Sequence, residues 1–261
     1  MSSEQDSAAE QPACEEEADA LFEPVVSTGR LRAGLHLVAT PIGNMRDITQ
    51  RALDTLRIAD LVGCEDTRHS GMLLKHHGIS ARLISLNEHN EAHRIPQLLE
   101  HMRQGGSVAL ISDAGMPTVS DPGQRLVGAV VLAGLHVEGI PGPSAVITAL
   151  AASGLPTTPF YFGGFLPHKK GARATLLTAA LERDCTSIFF ESPYRLVDTL
   201  AILAEAKPDH RVVVARELTK KFEEFKRGSA SILLSYYQAK TPKGEITLLI
   251  APVDPPKWLT W

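Results

Sequence analysis

Cysteine is scarce in this chain of 261 residues: Cys14, Cys64 and Cys185 are widely spaced and odd in number. That argues against a disulfide framework and a zinc knuckle, and it fits a reducing cytoplasm. No apolar run is long enough to span a bilayer. Neither of the common glycine-rich phosphate loops is there: no GxGxxG and no GxxxxGK[ST] follows a strand pattern. Any cofactor is therefore held by another loop chemistry. Lys and Arg are missing from residues 1–24, which carry eight acids (Glu4, Asp6, Glu10, Glu15, Glu16, Glu17, Asp19 and Glu23). This is the opposite of the basic start of a signal peptide. Such a Ser/Ala/Glu-rich segment has too little apolar surface to order itself, so a disordered acidic tail is expected over residues 1–33.

The formal net charge of −4 is dominated by that stretch; without it 22 acids face 26 bases. A mildly basic body is compatible with a nucleic-acid partner without demanding one. The rest of the composition, 44% hydrophobic and 21% charged, is that of an ordinary soluble protein of one large or two small domains.

From Gly34 onward the hydrophobic pattern alternates. Strands are expected at Leu35–Ala39, Leu61–Cys64, Leu83–Leu86, Val108–Ile111 and His136–Ile140. Between them the pattern predicts helices: one from a capping box of Asp47 and Gln50 to about Arg57, one from Glu65-Asp66 to about His77, then Glu91–Arg103 and Pro122–Ala133. In the last of these Asp121 reads as N-cap and Pro122 as N1. This βαβα repetition implies a mostly parallel sheet. Pro141-Gly-Pro143 interrupts it. Ser144 is expected to cap a helix that runs to Ala152 and stops at Gly154. A second set of strands follows at Phe160–Phe165, Ser187–Phe190, Arg211–Ala215 and Ile246–Ala251, with helices at about Ala172–Arg183, Leu196–Glu205 and Ser229–Gln238. The expected class is α/β: two α/β domains, 34–142 and 143–253, with a cofactor cleft between them and a short tail at 254–261.

Ligands of open α/β sheets bind at the carboxyl ends of strands, where Ser112–Gly123 begins. There Asp113 is either a turn former or a carboxylate beside a ligand that the Gly115 backbone lets approach. Glu65-Asp66-Thr67-Arg68, at the end of another apolar strand, is either a helix start or a set of reactive groups. His89 and His93 lie four apart, but no third ligand is placed and HNEAH is not HExxH, so solvated histidines are expected and no metal is signalled. Cys64 reads as a small buried hydrophobe. Residues 216–227 are either a solvated edge or a basic surface interleaved with aromatics that suits single-stranded RNA. Arg216, Lys221, Lys226 and Arg227 would carry that surface, with Lys169, Lys170 and Arg173 adding to it.

Eight motifs then occur in order: ATPIGN (Ala39–Asn44), CEDTR (Cys64–Arg68), NEHN (Asn87–Asn90), SDAGMPTVSDPG (Ser112–Gly123), PGPSA (Pro141–Ala145), FFESPYR (Phe189–Arg195), RELTKKFEEF (Arg216–Phe225) and KGEI (Lys243–Ile246). From about Gly34 to Pro252 the chain resembles the ribosomal RNA small subunit methyltransferase I family, of the tetrapyrrole methylase-like, class III methyltransferases. The resemblance implies S-adenosylmethionine-dependent 2′-O-methylation of a cytidine in the decoding region of 16S rRNA in the small ribosomal subunit. It also implies a cytoplasmic homodimer with the donor in the cleft between its α/β domains. By motif match the donor would touch Thr40, Pro41, Ile42 and Gly43, then Ser112, Asp113, Ala114, Gly115 and Met116, then Ser144 and Ala145. Met116 stands where the family usually has Thr, and Tyr194 where it usually has His. A ribose hydroxyl is a poor nucleophile near neutral pH and gains from a general base. Glu65, Asp66 and Glu88, at strand ends, are the candidates. Arg68 or Lys220 could stabilise the oxyanion or hold a phosphate. A sister enzyme acting on a small tetrapyrrole and a non-catalytic rRNA-binding assembly factor remain as alternatives.

Overall fold

The computed structural model describes residues 29–261 apart from Thr241 and Thr260. The expected acidic tail lies outside the described residues up to position 28. The first sheet is wholly parallel. Its strands are β1 (Gly34–Val38), β2 (Leu61–Cys64), β3 (Leu83–Ser85), β4 (Ser107–Leu110) and β5 (Val137–Ile140), in the order β3-β2-β4-β1-β5. Helices α1 (Gln50–Ile58), α2 (Thr67–His76), α3 (Glu91–Arg103) and α4 (Gln124–Leu132) connect them. Alternate strand residues feed two cores. Val38, Val62 and Ala109 meet Ala52, Leu56 and Leu74 on one face; Leu35, Leu61, Val108 and Leu110 meet Leu98, Met102, Leu126 and Val130 on the other. Burial on both faces is why these strands read as continuous apolar runs.

The second sheet is mixed. It comprises β6 (Phe160–Phe165), β7 (Thr186–Glu191), β8 (Arg211–Arg216), β9 (Glu224–Ser229) and β10 (Ile246–Ile250), in the order β6-β7-β10-β8-β9. Only β6 and β7 run parallel; β10 opposes β7 and β8, and β9 opposes β8. Helix α5 (Ala145–Ser153) packs Val146, Ala149 and Leu150 on one face, against Ile188, Val213 and Leu249. The other face holds α6 (Lys170–Leu181), α7 (Leu196–Ala206) and α8 (Ala230–Ala239) around Phe189, Val212, Val214 and Leu248. The chain thus leaves the first sheet at Ile140 and docks on the second by α5. No helix among the described residues is long and apolar enough to cross a membrane.

Three local expectations are corrected. Helix α1 is capped by Thr49, whose hydroxyl accepts from the Ala52 N–H at 3.1 Å; Asp47 sits in a 3-10 turn before it. Asp121 is not the N-cap of α4 and Pro122 is not N1, because Gly123 takes the left-handed φ of 114° and the helix begins after it. A Cβ at Gly123 would lie 2.5 Å from Leu110 Cδ2, so glycine is required there twice over. Ser144 stands at the N-cap of α5, but its side chain makes no capping hydrogen bond.

The orphan N–H of Leu126 in the first turn of α4 is satisfied from α3 instead: it donates to Glu91 Oε1 at 2.9 Å, and Glu91 is buried. Glu91→Ala removes this cap and is expected to cost about 1–2 kcal/mol. A urea titration should show a lower midpoint with an unchanged slope; an unmoved midpoint would deny the carboxylate that role.

Candidate functional site

A cavity of about 440 Å³ is lined by both halves of the chain: segments 113–116, 119–121, 144–146, 190–193 and 244–247, with Ile42, Phe165 and Leu218. The turn after β1 and the loop after β4 are locked together behind it. The Thr40 N–H donates to the Gly115 carbonyl at 2.9 Å, and the Gly115 N–H donates to the Thr40 carbonyl at 3.0 Å. The buried Thr40 hydroxyl donates to the Ser112 carbonyl at 3.0 Å. Gly115, at φ 84°, supplies the left-handed turn that this bridge needs.

Seven of the eleven residues expected at a donor line the cavity: Ile42, Asp113, Ala114, Gly115, Met116, Ser144 and Ala145. Thr40 and Ser112 are buried supports of the loop. Pro41 and Gly43 are not in the wall. Gly43 instead faces the second half, where a Cβ would lie 2.5 Å from Lys220 Cγ. Met116 extends toward β5, within reach of Gly139. At the start of α5 the uncapped N–H groups lie beside the cavity with Ser144, and a helix N-terminus favours anionic groups.

The loop from β8 to β9 grips the turn after β1. The Asn44 N–H donates to Thr219 Oγ1 at 3.1 Å. Lys220 Nζ pairs with Glu217 Oε1 at 2.9 Å and with Glu245 Oε2 at 3.1 Å. Lys220 is thus engaged between two carboxylates and does not line the cavity. Among the described residues, the non-glycine positions with positive φ are Thr118, Ser120, Glu217 and Thr219. All four fall in the two loops that flank the cavity, and such strain persists where surrounding structure enforces it.

The cavity is acidic. Asp113 and Asp121 reach it from the first half. Burial first, then the charge of Glu65, pushes the Asp121 carboxyl up to about 6; the Ser112 hydroxyl opposes this and Asp113 adds to it. Glu65 is raised too, by burial and by Asp113, Glu88 and Asp66. Asp66 behaves differently: it caps α2, accepting the Arg68 N–H at 2.8 Å and pairing with its guanidinium at 3.1 Å, and Arg68 holds it down to about 2. Arg68 is tied to that cap and is otherwise exposed. None of Glu65, Asp66, Arg68, Glu88 and Lys220 lines the cavity, although Glu65 and Glu88 belong to its electrostatic surroundings.

Asp121 is what sequence reasoning missed, because Asp-Pro-Gly imitates a helix start. The wall from the second half was missed as well. Its signal was present in FFESPYR and KGEI, whose residues 190–193 and 244–246 form it. Glu191 anchors that wall: its buried carboxylate receives Arg195 Nη2 at 2.7 Å, the Ser192 N–H at 2.7 Å and the Thr199 hydroxyl.

The basic residues expected to face RNA divide into two sets. Lys169, Lys170 and Lys221 are exposed, and Lys226 lies over the Tyr236 ring. Three arginines have partners within the protein. Arg173 is 3% exposed and donates to the Pro167 and His168 carbonyls. Arg216 pairs with Glu224 and donates to the Phe222 and Lys243 carbonyls. Arg227 donates to the Ala152 and Ser153 carbonyls at the end of α5. Spacing along the chain does not reveal that these guanidiniums donate to loose carbonyls at element ends.

Comparison with known proteins places this arrangement. A family model described as Tetrapyrrole (Corrin/Porphyrin) Methylases matches residues 34–233. The chain is 51% identical over 226 residues to "Ribosomal RNA small subunit methyltransferase I" of Mesorhizobium japonicum, covering 86% of this chain and 77% of that protein. It is 48% identical over 217 residues to the protein of the same name from Streptococcus pyogenes serotype M3, covering 83% and 76%. Among solved structures, the uroporphyrin-III-C-methyltransferase of Thermus thermophilus superposes with a TM-score of 0.58 at 23% identity, covering 85% of this chain and 96% of that one, which is a likeness of fold.

Proposed function

We propose, from the premise that this chain belongs to the tetrapyrrole (corrin/porphyrin) methylase family, that it is an S-adenosylmethionine-dependent rRNA methyltransferase. Its substrate in this reading is the ribose 2′-hydroxyl of a cytidine in the decoding region of 16S rRNA, within the small ribosomal subunit. It works as a homodimer in the cytoplasm, with domains 34–142 and 143–253 on either side of the donor. The observation that carries the reading is the 51% identity with a protein named for small-subunit rRNA methylation across 86% of the chain. Packing of α5 on the second sheet supports the domain division.

The cavity fits the donor by its chemistry. Ile42, Val146, Phe190 and Leu218 give an apolar wall for a purine, and carboxylates stand near where a cation would lie. The uncapped start of α5 suits the donor's carboxylate, and Gly115 lets backbone approach closely. The donor brings an activated methyl on a sulfonium, so positioning supplies much of the rate. The protein's work is to exclude water, hold the ribose in line and take its proton.

The exposed Lys169 and Lys170, at the start of α6, are assigned to phosphate contact. A Lys169→Ala/Lys170→Ala variant should bind small subunits more weakly, with the salt slope reduced by roughly 0.7–0.9 per lost contact. S-adenosylhomocysteine affinity should be unchanged. An unaltered salt slope would remove the pair from the RNA surface. The function itself is tested by transfer of labelled methyl from donor to purified small subunits, with uroporphyrinogen as the competing acceptor. Label in RNA is expected; label in the tetrapyrrole alone would overturn the reading.

A further inference from the structure

Four acidic residues line the cavity: Asp113, Asp121, Glu191 and Glu245. Glu191 is consumed by Arg195, Ser192 and Thr199. Glu245 is 74% exposed and pairs with Lys220. Asp113 is also open to solvent. Asp121 differs from all three: it is half-buried and sits at the end of a strained loop. On the rRNA methyltransferase reading above, we infer that Asp121 is the general base of the reaction. Its carboxylate takes the proton of the ribose 2′-hydroxyl as that oxygen bonds to the donor's methyl carbon. The carbon–sulfur bond breaks, its electron pair goes to sulfur, and S-adenosylhomocysteine, methylated ribose and protonated Asp121 result.

The backbone is built to aim this group. Thr118 and Ser120 hold positive φ values of 73° and 69° just before it. Such conformations are unfavourable for non-glycine residues and mark positions that the surroundings over-determine. The second half braces the same loop: a Cβ at Gly164 in β6 would lie 3.4 Å from Ser120 Oγ. Ser112, at the start of the same loop, is buried behind the wall, with its carbonyl held by the Thr40 hydroxyl and its own hydroxyl turned to the Gly115 carbonyl at 3.3 Å.

The charge balance fits the task. A proton acceptor works best when its pKa lies near the working pH. Glu65 faces Asp121 from the end of β2, and Asp113 from the loop after β4. Glu191 and Glu245 line the same cavity from the second half, each paired with a cation. With burial, the like charges of Glu65 and Asp113 bring Asp121 to about 6. The other candidates serve less well. Asp66 is a weak base at about 2, and Glu65 and Glu88 do not line the cavity.

The test compares full-length wild type with Asp121→Asn and Asp121→Glu in two measurements. Calorimetry with S-adenosylhomocysteine reports whether the donor site is folded, and single-turnover methyl transfer to small subunits is followed from pH 5 to 9. In the wild type the rate should rise with pH and level off above about 6. Asp121→Asn should bind S-adenosylhomocysteine normally and lose about 10²–10⁴-fold in rate at every pH, without that acidic limb. Asp121→Glu should recover part of the rate with the limb displaced. If Asp121→Asn keeps the wild-type rate and limb, or loses binding in step with rate, Asp121 is not the base. If the wild type labels no small-subunit RNA at any pH, the rRNA reading itself fails.

Discussion

Glu191→Ala is expected to cost about 3–5 kcal/mol of stability, the usual consequence of removing one partner from a buried ion pair. The Glu191 side chain is fully buried. It joins the Arg195 guanidinium at 2.7 Å, the Ser192 N–H at 2.7 Å and the Thr199 hydroxyl, so it holds the turn from β7 into α7. Arg195 also donates to the Leu166 carbonyl at 3.2 Å, which ties β6 to the same turn. Without the carboxylate, a largely buried guanidinium loses its counter-charge and two further donors lose their acceptor. The cavity wall at 190–193 hangs from this turn, so S-adenosylhomocysteine affinity should fall as well. Thermal unfolding should drop by on the order of 10 °C for a chain of this size. A loss below about 1 kcal/mol would show the pair to be a bystander.

Ala145→Phe is expected to abolish donor binding while leaving the fold intact. Ala145 is the first residue of α5 and lines the cavity beside Ser144. A benzyl group there would fill space that the donor needs. The expected loss of S-adenosylhomocysteine affinity is at least about 100-fold, or roughly 2.7 kcal/mol. The change adds apolar surface at the cavity and removes nothing from the core, so the unfolding midpoint should barely move. Near-normal affinity in the folded variant would mean that the donor sits elsewhere.

How far the sequence discloses this molecule depends on where each residue finds its partners. The central strands of the first sheet were legible because burial on both faces makes them apolar runs, as in Leu61–Cys64 and Val108–Leu110. Strand β9 was not. It is an edge strand rich in charge, and charge on an edge blocks unwanted pairing while hiding the strand signal. The Ser112–Met116 half of the cavity was legible from strand-end position. The other half depends on pairing across the chain: Ile246 of β10 lies opposite Glu191 of β7, and this brings two distant motifs to one wall. Asp121 was misread because a local capping pattern and a left-handed Gly123 share the same Asp-Pro-Gly spelling. For Arg173, Arg216 and Arg227 a sequence shows a guanidinium's charge and not its carbonyl partners.

The most direct test of the central claim is mass mapping of 16S rRNA from cells lacking this chain, before and after treatment of their small subunits with the purified protein and S-adenosylmethionine. The account predicts one decoding-region cytidine that lacks its ribose methyl in those cells and gains it on treatment. It also predicts that the Ala145→Phe protein restores nothing. A small-subunit methylation pattern unchanged by loss of the chain, and unchanged by adding it back with donor, would contradict the account.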